Sequence, residues 1–214
     1  MDLFRLNSLK DNLIIMYIVS MTGASGAILG IRLMEELLKS GRDVVSVVSD
    51  SAWNIIHHEI LRENKKISSI KDLLVKRGFH KNINKLREYS NNDFFSPIAS
   101  GTTRFEAVIV VPCSMKTLSS IASGYSHSLI NRVVDVALKE DRRCILVPRE
   151  TPLNLIHIEN MLQAKKAGAD IIIPAPGFYT FPETIDDIIN FIIGKILNIL
   201  NIKQTLLQSW GEKM

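Results

Sequence analysis

Met21-Thr22-Gly23-Ala24-Ser25-Gly26-Ala27 is the stretch that decides the fold of this 214-residue chain. An aliphatic, β-branched run over 13–20 leads into it, and apolar residues at helical spacing over 28–39 lead out. A strand that turns through small residues into a helix presents backbone N–H groups at the positive end of the helix dipole, where an anion such as phosphate is favoured. Gly23 and Gly26 permit close backbone approach and unusual dihedrals, and Ser25 adds a hydroxyl to the same space. The spacing fits neither the dinucleotide fingerprint nor a Walker loop, which need a further glycine or a Gly-Lys-Ser/Thr ending.

Working outward, the same kind of unit recurs. Strand-like runs at 44–49, 107–111, 144–147 and 171–174 alternate with helical patterns. The helical pattern at 129–139 carries Ile130, Val133, Val134, Ala137 and Leu138 on one face, and 154–166 reads as another amphipathic helix. Strands of nearly pure Val and Ile between amphipathic helices indicate an α/β domain, a parallel sheet covered on both faces and wound both ways. In such sheets the ligand crevice lies outside the carboxyl ends of the strands. The residues just past those ends, 22–26, 49–51, 112–117, 148–152 and 174–179, are therefore expected to meet at one rim. Residues 62–92 show no clear strand and are expected to be helical or irregular. The last helical pattern, 183–200, is apolar on more than one face, which predicts a subunit contact.

Bulk composition narrows the class. The length suits one domain with a real core. A net charge of +4 is mild, and its excess is concentrated between Arg62 and Arg87, including Lys65 and Lys66. Few aromatics are interleaved there, so this is read as a solvated helical face and not a nucleic-acid surface. Cys113 and Cys144 sit in or beside apolar runs and read as buried thiols of a reducing, cytoplasmic protein. Residues 13–31 carry no charge, as a membrane segment would, but the small-residue break at 22–26 and the amphipathic continuation favour a strand-loop-helix unit.

Several residue groups can carry chemistry, each with a plainer alternative. Ser114-Met115-Lys116-Thr117 follows a buried strand and either holds an anionic or polar ligand part or simply caps a helix. Arg132 and Lys139 are seven apart, on one helix face, and Arg149 follows at a strand's end. They are solvated surface cations or a phosphate clamp. Glu150 and Glu59 are each a tuned acid–base group, an ion-pair partner or a helix cap. No His or Glu spacing points to a metal, and no Ser-His-Asp arrangement is legible.

Seven segments in order carry a sharper signal: MTGASGA from Met21, PIASG from Pro97, VIVVPCSMKTL from Val108 and LINRVVDVALKEDRR from Leu129, then ILVPRETPLNLIHIENM from Ile145, IIIPAPGFYTFPETIDDIINF from Ile171 and SWGE from Ser209. Together, from about Ile14 to Gly211, they resemble the UbiX-type flavin prenyltransferases of the homo-oligomeric flavin-containing cysteine decarboxylase superfamily. The resemblance implies a Rossmann-like, flavodoxin-type three-layer α/β sandwich with a parallel sheet, comprising one flavoprotein domain over 13–214 after an N-terminal extension, 1–12. It implies a cytoplasmic homododecamer with active sites between subunits and no membrane insertion. The implied reaction moves a dimethylallyl unit from dimethylallyl monophosphate to N5 and C6 of reduced FMN, without a metal. The product would be the prenylated-FMN cofactor of a UbiD-type decarboxylase, usually in ubiquinone biosynthesis.

Carried over position by position, Gly23, Ala24, Ser25, Ser49, Ser114, Met115, Lys116, Thr117 and Arg149 would bind FMN. Ser100, Gly101, Arg132, Lys139, Arg149, Tyr179 and Lys195 would hold dimethylallyl phosphate. Ser25, Glu59 and Glu150 would be catalytic, the first two as a hydrogen-bond relay and Glu150 in proton handling. The family commonly has Arg at the position of Lys195 and Trp at that of Phe94, so this chain keeps a charge without the bidentate fork and a π face with a weaker quadrupole. On the same superfamily resemblance, the alternatives are an FMN-dependent decarboxylase of a cysteine-type thiol and a non-catalytic flavin carrier.

Overall fold

A computed structural model of the chain describes residues 16–62 and 67–207. The expected extension at 1–12, the SWGE segment, Lys65 and Lys66 lie outside those residues. Six strands form one sheet: β1 (Met16–Met21), β2 (Asp43–Val48), β3 (Leu86–Ser90), β4 (Ala107–Cys113), β5 (Arg143–Pro148) and β6 (Asp170–Ile171). Their order is β3-β2-β1-β4-β5-β6, and every neighbouring pair is parallel. This is the Rossmann-type doubly wound order, with its switch point between β1 and β4.

The central strands are buried on both faces, which is why their sequences are continuous aliphatic runs. Alternate residues separate cleanly, as a two-residue period requires. Tyr17, Val19, Ile109, Val111, Ile145 and Val147 enter one core, while Ile18, Val108, Val110, Cys144 and Leu146 enter the other. Helices α1 (Ala27–Lys39), α2 (Asp50–Ile56) and α3 (Ile70–Lys76) cover the first face together with α7 (Ile185–Ile199). On the second lie α4 (Met115–Ala122), α5 (Leu129–Lys139) and α6 (Leu155–Lys166). The result is the expected three-layer sandwich. No described helix is long and apolar enough to cross a membrane.

Three local expectations need correction. Residues 62–92 do contain a strand, β3, paired in parallel with β2. It was invisible as a strand because it lies at the sheet edge with only Leu86 buried, so it carries no apolar run. The expected strand at 171–174 shrinks to a two-residue edge strand. Helix α6 is not amphipathic in its setting: only Ala164 is buried, while Leu155, Ile156, Ile158 and Leu162 are exposed. Helix α7 buries Ile189, Ile192, Ile193, Ile196 and Leu197 in its own chain's core and leaves Ile185 exposed at its start.

Both cysteines are buried and free. Loss of hydration pushes the Cys144 thiol up to about 12 and raises Cys113 as well, so neither is a nucleophile at neutral pH.

Candidate functional site

Because all strands run the same way, the tips of β1, β2, β4 and β5 deliver their loops to one rim, as expected. Three glycines shape the 22–26 loop and the start of α1. A Cβ on Gly23 would lie 2.5 Å from Ser51 Oγ, so the loop packs directly on the start of α2. Gly26 adopts a left-handed conformation with φ 99°, which only glycine takes without strain. Gly30 was not singled out by sequence, yet a Cβ there would meet the Val111 carbonyl at 2.5 Å. It lets α1 sit down on β4. The spacing from Gly26 to Gly30, one helical turn, was the available signal.

The start of α1 is not open to a phosphate. Glu59 points its carboxylate at it, accepting from the Gly26 amide at 3.0 Å and the Ala27 amide at 3.1 Å. Gly26 has no side chain to cap the helix, and Glu59 supplies the missing acceptor from a π-helical turn, His57–Leu61. Glu59 thus acts as a cap on α1, next in the chain to the half-buried Ser25. A favourable dipole remains for an anion, but a protein carboxylate already uses it.

The hydroxyls at the tips of β2 and β4 also act as caps. Ser49 accepts from the Ala52 amide at 3.2 Å and opens α2, whose first turn carries Asp50. Ser114 accepts from the Thr117 amide at 3.3 Å and opens α4, with no acidic residue in its first turn. Of the helices starting after β1, β2 and β4, α4 alone keeps an N-terminus without a carboxylate. Thr22, which sequence treated only as part of a loop, joins two of these tips. Its hydroxyl donates to the Pro112 carbonyl at 3.0 Å and accepts from the Ser114 amide at 2.7 Å.

At the β5 tip, Arg149 and Glu150 are exposed, and the Arg149 amide donates to the Cys113 carbonyl at 3.2 Å. Glu150 Oε1 accepts from the Thr151 amide at 3.0 Å, and no salt bridge joins it to Arg149 among the described residues. The donors gathered at the rim (loop amides, the Ser25 and Thr117 hydroxyls and the Arg149 guanidinium) suit an anionic, heteroatom-rich ligand such as FMN.

The remaining cations do not join this rim within one chain. Arg132 lies on the α5 face, donating to the Ala99 carbonyl at 3.0 Å and to Asp135 at 2.6 Å. Lys139 sits at the end of α5, 3.3 Å from Glu140 and beside Gly101, where a Cβ would meet the Lys139 Nζ at 3.3 Å. Ser100, Gly101, Arg132 and Lys139 thus form one group along α5. Arg149 is separated from Lys139 by the whole of β5, about 20 Å at the usual rise of a parallel strand. The expected three-cation clamp is not made by a single chain.

A third group lies on the opposite face. Tyr179 meets Phe191 edge-on with ring centroids 5.8 Å apart, and Lys195 Nζ stands 5.4 Å from the centre of the same ring. Phe191, not anticipated from sequence, is the platform for both. Phe94 is exposed on the loop after β3. The described residues contain no cluster of His, Cys, Asp and Glu able to hold a metal.

Comparison with known proteins agrees with this fold. A family model described as Flavoprotein matches residues 6–197. A flavin prenyltransferase, UbiX, from Methanocaldococcus jannaschii is 47% identical over 194 residues, covering 91% of this chain and 97% of the relative. Among solved structures, AnUbiX (PadA1), in complex with FMN and dimethylallyl pyrophosphate, has a TM-score of 0.81 at 37% identity, covering 92% of this chain and 97% of that one. A dodecameric FMN-dependent UbiX-like decarboxylase from Escherichia coli O157:H7 gives 0.80 at 35% identity, covering 92% of this chain and 99% of the other. The chain belongs to the flavoprotein family, in its UbiX-type flavin prenyltransferase branch.

Proposed function

We propose that this chain transfers a dimethylallyl unit from dimethylallyl monophosphate to reduced FMN, making prenylated FMN for a UbiD-type decarboxylase, with ubiquinone biosynthesis as the usual destination. The carrying observation is the distribution of the candidate residues. A ligand cradle occupies the rim, and two cation groups, Arg132 with Lys139 and Lys195 with Tyr179, lie on opposite faces of the sheet. Such a chain completes a phosphate clamp only by borrowing from other copies. The exposed apolar residues of α6 and of 173–185, among them Ile173, Phe178, Phe181 and Ile185, provide surface for those copies. The reading includes a cytoplasmic homododecamer with sites between subunits, built from one flavoprotein domain over 13–214.

In this reading Gly23, Ala24, Ser25, Ser49, the 114–117 loop and Arg149 bind FMN. Reduced FMN supplies the nucleophilic N5 and C6. Ser100, Gly101, Arg132, Lys139, Arg149, Tyr179 and Lys195 hold the donor's phosphate, and their charge stabilises its departure as the carbon–oxygen bond breaks, with no metal required. Glu59 fixes the 22–26 loop and, through it, the Ser25 hydroxyl. Exposed Glu150 takes up or returns the proton released when the ring closes.

The test is mass spectrometry of flavin extracted after anaerobic incubation with reduced FMN and dimethylallyl monophosphate, with the diphosphate run in parallel. A five-carbon gain with release of phosphate is expected, and unmodified flavin would sink the proposal. Glu150→Gln is expected to retain FMN while turnover falls by about 10²–10⁴-fold. Unchanged turnover would remove Glu150 from the chemistry.

A further inference from the structure

We infer that Thr22 is a positioning residue that sets the β4–α4 loop for cofactor binding. The regular pairing between β1 and β4 runs from Tyr17 opposite Ala107 to Ser20 opposite Val110, and β4 then becomes irregular between Val110 and Cys113. Beyond that point Thr22 takes over from the ladder. Its amide donates to the Pro112 carbonyl at 3.1 Å, and its hydroxyl donates to the same oxygen at 3.0 Å. The same hydroxyl accepts from the Ser114 amide at 2.7 Å. Thr22 is 3% exposed, so no bulk water stands ready to replace these bonds.

The consequence lies one residue further on. With its amide tied to Thr22, Ser114 aims its own hydroxyl at the Thr117 amide and contacts Thr117 Oγ1 at 3.1 Å, opening α4. On the other side, the Thr22 carbonyl accepts from the Ala24 amide at 2.8 Å. One side chain thus locks the 22–26 and 112–117 loops to each other across the switch point. A valine has nearly the shape of threonine but its side chain can neither donate nor accept, so it would leave the Ser114 amide without its partner and the Pro112 carbonyl with the residue-22 amide alone. Serine keeps the hydroxyl.

The inference rests on the FMN reading, so the experiment separates the two. Apoprotein is reconstituted with FMN by fluorescence titration for wild type, Thr22→Val, Thr22→Ser and Ser69→Ala. The last removes the α3 cap, a hydroxyl that accepts from Asp72 and donates to Glu88 on edge strand β3, and serves as a control for general loss of stability. Thr22→Val is expected to weaken FMN binding by roughly tenfold or more and to alter the bound flavin's absorption spectrum. Thr22→Ser restores both, and Ser69→Ala changes neither. Wild-type affinity in Thr22→Val would overturn the inference, as would an equal loss in Ser69→Ala. Hydrogen exchange at the Ser114 amide gives a reading without ligand: protection is expected to fall in Thr22→Val and return in Thr22→Ser. If the wild type bound no FMN, the functional reading would fail, and unchanged exchange at Ser114 would separately overturn the positioning role. Should Thr22→Val not fold, Thr22→Ala carries the same comparison.

Discussion

Helices α6 and α7 begin alike and end differently. Each opens with a capping box, Asn154 with His157 in one and Thr184 with Asp187 in the other, and each is rich in Leu and Ile. Yet α6 buries only Ala164, whereas α7 buries six residues. The difference is where the sheet ends. Helix α6 follows β5 and leans on α4 beside β6, a strand of two residues, so little sheet remains for it to cover. Helix α7 crosses to the other face, packs on α1, and is tied there by Arg32, which donates to Asn190 and pairs with Asp186. Apolar content announces that something will cover a helix. It does not say whether the cover comes from the same chain.

That contrast can be broken most directly at Ile192, 5% exposed in the α7 core. Ile192→Asp places a charge among aliphatic side chains and is expected to cost more than about 4 kcal/mol, a large part of a domain's stability. Thermal denaturation by circular dichroism should show loss of the native transition, and a folded, dissociated monomer would mean that Ile192 serves an interface and not the core. Ile158→Asp on α6 should behave in the opposite way. The isolated chain keeps its fold, changing by less than about 1 kcal/mol. Light scattering should show dissociation, with activity falling because the cation groups separate. An intact, fully active assembly would show that α6 faces solvent.

Lys195 sharpens the comparison on the outer side of α7. On the proposed reading, Lys195→Ala removes a charge-assisted bond to the donor phosphate worth roughly 1.5–3 kcal/mol, so the KM for dimethylallyl monophosphate should rise by about 10–100-fold with FMN affinity unchanged. Lys195→Arg should retain or improve activity, since a guanidinium grips two oxygens. Equal kinetics in all three proteins would place the phosphate elsewhere. The smallest effect concerns the α7 cap. Hydrogen bonds from Thr184 hold the Asp187 carboxyl below its ordinary 3.8. A lowered pKa stabilises the fold above the unfolded value, and the contribution disappears as pH falls through the folded one. Asp187→Asn should therefore lower the Tm slightly at neutral pH and make no difference in strong acid; a gap that widened in acid would contradict this.

Much of the fold was legible because the central strands are buried on both faces and write continuous aliphatic runs. Edge strands β3 and β6 lack one neighbour and much burial, so neither wrote such a run in full. The rim was legible for a similar reason: small residues and prolines mark strand ends, and a parallel sheet sends those ends the same way. The partners across the rim were not. Glu59 reaches Gly26 over 33 positions, and Thr22 reaches Pro112 over 90. No local pattern encodes such a pairing.

The sequence by itself determined what short-range forces control. It set the strand-loop-helix unit around Gly23 and Gly26, the small-residue strand ends, and the family through seven ordered motifs. Tertiary structure decided which groups share a space. It turned the open amides of α1 into a seat for Glu59, buried α7 while exposing α6, and placed Arg132 with Lys139 on one face and Lys195 with Tyr179 on the other. The physical reason is range. Propensities and capping act within a turn or two of chain, whereas the crossovers that send a helix to one side of a sheet or the other decide its neighbours, and with them whether a cation completes its own site or another copy's.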